Sequence, residues 1–145
     1  MEVGITGAHP GDLAAVLTLL EAAGLPLEGV AEHFGEFLVA RAGERVVGAA
    51  GLELYGKAAL LRSVVVHPDW RGRRLGHRLT EGCLTRARAR GVGEVYLLTM
   101  TAPHFFPRFG FRPVPREEIS PAVKASAQFQ TGCCGNEVAM ALILG

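Results

Sequence analysis

Apolar positions along the chain recur in short blocks whose spacing switches between two and about 3.6 residues, so strands and helices alternate. Glu2–Ile5 reads as a short strand ending at Gly7. From Asp12 to Ala23 the apolar residues Leu13, Val16, Leu17 and Leu20 form one helical stripe, and Gly24 supplies the stop. Leu27–His33 is a candidate short second helix. Glu36–Arg41 and Arg45–Leu54 read as strands joined by Ala42-Gly43-Glu44, a hairpin-type connection, and Lys57–Val66 as the next strand. Leu75–Arg90 is an amphipathic helix with Leu75, Leu79, Cys83 and Ala87 on one face and Gly91 after its end. Arg86, Arg88 and Arg90 suit the negative end of its dipole. Glu94–Thr99 reads as a buried strand, Ala102–Arg108 as a short helix and Gly110–Val114 as a strand. Pro121–Phe129 is a candidate helix, and Glu137–Leu144 a closing strand. Repeats and linkers are absent. The order predicts an α+β domain in three layers.

Composition narrows this. A chain of 145 residues suits one domain, 1–145, and its 49% hydrophobic and 20% charged residues are those of an ordinary globular protein. A net charge of +1 argues against an extended nucleic-acid surface. No signal-type segment or bilayer-length apolar run is present, so a soluble, cytoplasmic protein is expected, as monomer or homodimer. Cys83, Cys133 and Cys134 are an odd set with a vicinal pair, which suits a reducing compartment better than a disulfide framework. Basic character is local: Arg71, Arg73, Arg74 and Arg78 cluster in one loop and the helix after it, as a polyanionic small ligand requires.

That loop carries the strongest chemical signal. A β-branched run, Val64–Val66, stops at His67-Pro68, an Arg- and Gly-rich turn follows, and a helix begins near Leu75. Such a junction gathers unpaired backbone N–H groups at the positive end of a helix dipole and binds phosphate or pyrophosphate. The residues His67-Pro68-Asp69-Trp70-Arg71-Gly72-Arg73-Arg74-Leu75-Gly76 resemble the x-Pro-x-aromatic-Arg-Gly-x-Gly-x-Gly signature of the GNAT superfamily of acetyl-CoA-dependent N-acetyltransferases. One position departs from it: Arg74 stands where that family has its second glycine. The resemblance implies a mixed, mostly antiparallel sheet of about seven strands, with a splayed central pair and helices on both faces. It implies acetyl-CoA as cosubstrate, no metal, and direct attack of a neutral amine on the thioester. Pantetheine would run along Val64, Val65 and Val66, and Arg71 with the N–H groups of Gly72, Arg73, Arg74, Leu75, Gly76 and His77 would hold the pyrophosphate. The backbone N–H of Val64 or Val66 would polarise the carbonyl.

Simple alternation in Lys57–Val66 puts Leu60, Arg62, Val64 and Val66 on one face, with Leu61, Ser63 and Val65 on the other. Arg62 is anomalous in so apolar a strand, because a buried guanidinium needs a partner. Two readings stand: a bidentate clamp for a substrate carboxylate, or an ion pair with Glu53. Glu53 is in turn a candidate general base or water-relay carboxylate, a partner of Arg62, or a solvent-exposed residue. The family's thiolate-protonating tyrosine is replaced by Phe106, leaving Tyr55, Thr101, His104 or no protein acid.

Three segments, Gly51–Gly56, Leu60–Ser63 and Tyr96–Thr101, resemble the GNAT group thought to acetylate arsinothricin-like glutamate analogues. Leu98–Phe111 and Gln128-Phe129-Gln130 are similar to the acetyltransferase domain of bacterial N-acetylglutamate synthase, with Thr101 in place of an arginine. Both imply a small carboxylate-bearing amine, with Arg62, Thr99 and Thr101 as substrate-binding residues. Cys133 and Cys134 lie near where such substrates would enter, or are ordinary loop residues. A non-catalytic acetyl-CoA sensor and a protein N-acetyltransferase remain the alternatives.

Overall fold

The computed structural model describes residues 2–99, 104–131 and 137–144. Its strands are β1 (Val3–Gly7), β2 (Phe37–Ala42), β3 (Arg45–Tyr55), β4 (Ala58–Val66), β5 (Glu94–Thr99), β6 (Arg112–Pro113) and β7 (Val138–Ile143). They form one sheet in the order β1-β2-β3-β4-β5-β7-β6. Helices α1 (Leu13–Ala22), α2 (Leu75–Ala89) and α3 (Ala127–Thr131) complete it.

Hydrophobic patterning explains the layers. The α2 face formed by Leu75, Leu79, Cys83, Leu84 and Ala87 packs on Ala50, Leu52, Ala59 and Leu61. On the opposite face Val16, Leu19 and Leu20 of α1 pack with Phe34, Phe37, Ala49 and Val65. Each fully buried leucine contributes about 1.5–3 kcal/mol, so α2 is held by its stripe rather than by propensity. No described helix is long and apolar enough to cross a membrane.

Neighbouring strands run antiparallel except β4 and β5, which are parallel. Their register covers only Ala58–Leu60 against Glu94–Tyr96, although β4 continues to Val66 and β5 to Thr99. The central pair is therefore splayed, and the distal backbone of both strands faces a gap.

Strict alternation fails in β4. Ala49 lies opposite Val65 but Gly51 lies opposite Arg62, so Ser63 and Val64 together face Ala50. This β-bulge, with Ser63 at φ 61°, turns the strand over. Val64 and Val66 consequently join Leu61 on the α2 side, while Val65 enters the α1 cluster. The single face expected for Leu60, Arg62, Val64 and Val66 is corrected accordingly.

Four other expectations change, the first at Pro121–Phe129, where the candidate helix is a 3-10 turn at Val123–Ala125 followed after Ser126 by α3. The helix expected over Leu27–His33 is a run of turns, because Gly29 takes a left-handed backbone at φ 84° and Val30 is its one apolar side chain in the core, Leu27 being exposed. The helix expected over Ala102–Arg108 is, among the described residues, a 3-10 turn at Phe106–Phe109 closed by Gly110 at φ 101°. The strand expected over Gly110–Val114 contracts to Arg112–Pro113, since Pro113 and Pro115 lack the donors a longer ladder needs.

Candidate active site

The bulge sends the end of β4 into a tight turn. Asp69 N–H donates to His67 Nδ1 at 3.1 Å, a 3-10 turn spans Pro68–Trp70, and Gly72 (φ 82°) and Arg74 (φ 60°) take left-handed backbones before α2 starts at Leu75. Arg74 sits at the N-cap of α2 and gives no side-chain cap, so the first-turn N–H groups point into open space. A cleft of about 230 Å³ lies there, lined by Val66, Arg71, Gly72, Arg74, Leu75, Gly76 and His77. Phe105 and Arg108 close its far wall, a pair that sequence reasoning missed. Their signal was weak because they come from the aromatic turn that reads as a helix. Arg73 turns away, its guanidinium 4.5 Å from the centre of the Trp70 ring. A β-carbon on Gly76 would meet Phe105 Cζ at 3.6 Å and Val66 Cγ2 at 3.9 Å, so a small side chain fits while a larger one enters the cleft. Val64 borders the α2 core and Val65 is buried beneath α1.

On the opposite face lies a buried polar cluster. Arg62 Nη1 donates to Glu53 Oε2 at 2.6 Å, and the side chains are 1% and 0% exposed. Tyr55 donates its hydroxyl proton to Glu53 Oε1. Arg62 also donates from Nε to Ser63 Oγ (3.0 Å) and from Nη2 to the Pro26 carbonyl (3.1 Å). The solvent-exposed alternative for Glu53 is thereby corrected, and the Arg62 partner is identified. Burial pushes the Glu53 pKa up, but hydrogen bonds from Tyr55, Arg62 and Ser126 outweigh it and hold the carboxyl below its ordinary value. Burial, and then the bond to Glu53, pushes the Tyr55 phenol up to about 12.

His33 approaches from the loop before β2, with Nε2 3.5 Å from Glu53 Oε1. Gly29 packs against the pair so closely that a β-carbon would stand 2.9 Å from Arg62 Nη1. Neither residue is legible in the sequence, because the pattern predicts a helix there and the loop geometry depends on β3 and β4. Ser126, almost fully buried before α3, completes the cluster.

Thr99 ends β5 beside the splay and is buried. Thr101, Cys133 and Cys134 lie outside the described residues. Phe106 packs edge-on to Phe105 and Phe111 and is buried in the core. His104 is exposed. Burial pushes the Cys83 thiol up to about 12, which removes it as a nucleophile. No group of three metal-ligating side chains occurs among the described residues.

Known proteins share this frame. An uncharacterized N-acetyltransferase of Chlorobaculum tepidum is 32% identical over 92 residues, which are 63% of this chain and 59% of that protein. An amino-acid acetyltransferase of Salmonella arizonae is 32% identical over 74 residues, 51% of this chain but 17% of its own length. The chain thus spans under two thirds of the curated relatives it matches. Among solved structures, Rv2747 from Mycobacterium tuberculosis, in complex with CoA and NLQ, superposes with a TM-score of 0.83 at 23% identity, covering 98% of this chain and 99% of that one. N-acetylglutamate synthase from Neisseria gonorrhoeae, complexed with coenzyme A and N-acetyl-glutamate, gives 0.84 at 21% identity over 100% of this chain and 36% of that one. The family model described as an acetyltransferase (GNAT) domain matches residues 33–113, the stretch that contains the bulge, the splay and the uncapped helix. With more than half its length matched, the chain belongs to the GNAT acetyltransferase domain family.

Proposed function

We propose that this protein transfers the acetyl group of acetyl-CoA to the amino group of a small carboxylate-bearing substrate, an amino acid or a glutamate-like analogue. The observation that carries the reading is the alignment of two features along β4. An uncapped helix end receives an anion, and the splay beside it offers free backbone to an extended arm. Pyrophosphate would rest on the N–H groups from Gly72 to His77, with Arg71, Arg74 and Arg108 around it. Pantetheine would enter the gap between β4 and β5, and the N–H of Val64 or Val66 would meet the thioester oxygen.

The amine would approach from the α1 side, where Glu53 and Arg62 lie. Arg62 has one exchangeable partner, the Pro26 carbonyl, and a substrate carboxylate would replace that neutral acceptor with a charged one. The amine nitrogen forms its bond to the acetyl carbon, the carbon–sulfur bond breaks, and the thiolate leaves with the proton released by nitrogen. Relatives named amino-acid acetyltransferase support the substrate class. A second reading, acetyl-CoA binding without turnover, draws on Phe106 at the position of the family's acid.

Free-thiol release from acetyl-CoA, measured over glutamate, its analogues, other amino acids and simple amines, separates these readings. Carboxylate-bearing amines should be turned over. Arg62→Lys, which keeps a charge beside Glu53, should lose about ten- to several-hundred-fold in kcat/KM while still binding CoA. If amines without a carboxylate are the best substrates and Arg62→Lys acetylates them normally, Arg62 is structural. If CoA binds and no amine is acetylated, the protein is a sensor.

A further inference from the structure

We propose that His33 is the proton outlet of the acceptor site, a positioning residue that receives from Glu53 the proton a substrate ammonium must lose and delivers it to water. The inference rests on the acetyltransferase reading above.

The geometry leaves the proton few routes. An ammonium has no lone pair, so a proton must go before nitrogen attacks. Glu53 is the carboxylate paired with Arg62 on the acceptor face, yet it is 0% exposed, so a proton placed on it does not pass directly to solvent. Arg62 and Tyr55 are both donors to Glu53, and each already holds its own proton. A guanidinium does not deprotonate in proteins, and the Tyr55 phenol is pushed up to about 12. His33 differs in both respects. Its Nε2 lies 3.5 Å from Glu53 Oε1, and its side chain is 31% exposed. Its ring also lies beside Tyr55, with centroids 6.1 Å apart. Among the described residues, the charged or titratable groups it meets include Glu53 and Tyr55 from β3 and, behind Glu53, Arg62 from β4. A carboxylate held below its usual range is a weak base and works only if it passes its proton on, and imidazole is the side chain suited to that near neutral pH.

The accounting closes. The ammonium gives one proton to Glu53, whose carboxyl O–H passes it to His33 Nε2, and the imidazolium loses a proton to water. The neutral amine bonds to the acetyl carbon, the carbon–sulfur bond breaks, and the second nitrogen proton leaves with the thiolate as free thiol.

The test compares kcat and KM of the wild-type protein, His33→Ala and His33→Gln from about pH 5 to 9, with and without added imidazole, on a substrate from the amine panel. Removal of an acid–base relay costs about a hundredfold or more, so kcat should fall by that factor at neutral pH while the KM for acetyl-CoA holds. Imidazole should restore His33→Ala at least tenfold, with a pH dependence that follows its basic form. The glutamine variant, which keeps the bulk of the ring, should remain impaired. Wild-type kcat and an unchanged pH profile in both variants would overturn the outlet. So would a loss that imidazole does not restore in a variant with the melting temperature of the wild type. A wild-type protein that acetylates no carboxylate-bearing amine would instead overturn the underlying function, and the outlet with it.

Discussion

Arg74 holds a left-handed backbone, φ 60°, at a position where its family has glycine. That conformation costs a β-carbon-bearing residue about 1–2 kcal/mol, whereas glycine also gains freedom in the unfolded chain worth about 0.4–1 kcal/mol. Arg74→Gly should therefore leave the protein as stable or more stable by up to about 1.5 kcal/mol in chemical denaturation. It should weaken CoA binding by about three- to tenfold in calorimetry, because one guanidinium leaves the phosphate cradle. Gly29 is the opposite case. With φ 84° and 2.9 Å from Arg62 Nη1 to an added β-carbon, Gly29→Ala should cost at least about 2 kcal/mol. A Gly29→Ala protein as stable as the wild type would show that the loop yields freely. The phosphate loop was legible because its signature is local in sequence. Gly29 and His33 were not, since what they touch is supplied by β3 and β4 from twenty or more residues away.

Among the elements, β4 shows what periodicity captures and what it misses. Its apolar content marks a buried strand, and the two-residue connection Gly56-Lys57 pairs it with β3. The bulge at Ser63–Val64 depends on register against Ala50, so an alternating pattern cannot reveal it. The consequence is chemical, because Arg62 stays on the α1 side while Val64 and Val66 turn toward α2. Glu53 and Arg62 then tie β3 to β4 through a buried ion pair. Removing one member of such a pair costs about 3–5 kcal/mol, whereas replacing both with apolar residues of similar volume is often neutral. Arg62→Met alone, which strands the buried Glu53 charge, should accordingly be less stable than the double variant Glu53→Gln/Arg62→Met, which leaves no charge buried. A double-mutant cycle in urea should give a coupling of about 1–3 kcal/mol. Additive effects would mean the pair holds no strands together. The short elements near the C-terminal end were the least legible, since 3-10 turns of three or four residues leave no period to read.

Over the whole molecule, two carboxylates tie pH to stability. Glu53 is held below its ordinary 4.5 by bonds that outweigh burial, and Asp12 below its ordinary 3.8, chiefly by the Arg41 guanidinium at 2.7 Å. A carboxyl depressed in the folded state stabilises above its unfolded pKa, and that contribution is lost as pH falls through the folded value. The unfolding free energy should thus be flat near neutrality and decline below about pH 4.5. Bound cofactor should raise the whole curve rather than tilt it, because the phosphate cleft and the Glu53 cluster lie on opposite faces of the sheet. At a hundred times its Kd, a ligand of the native state adds about 2.7 kcal/mol. For a chain of this size that corresponds to a rise of about 5–11 °C in melting temperature. Acetyl-CoA should therefore stabilise the wild-type protein by several degrees. Gly76→Val, whose branched side chain fills the cleft beside Phe105 and Val66, should stay folded and lose the shift. A wild-type protein with no shift in millimolar acetyl-CoA would remove the acetyltransferase reading, and a full shift in Gly76→Val would move the cofactor to another part of the fold.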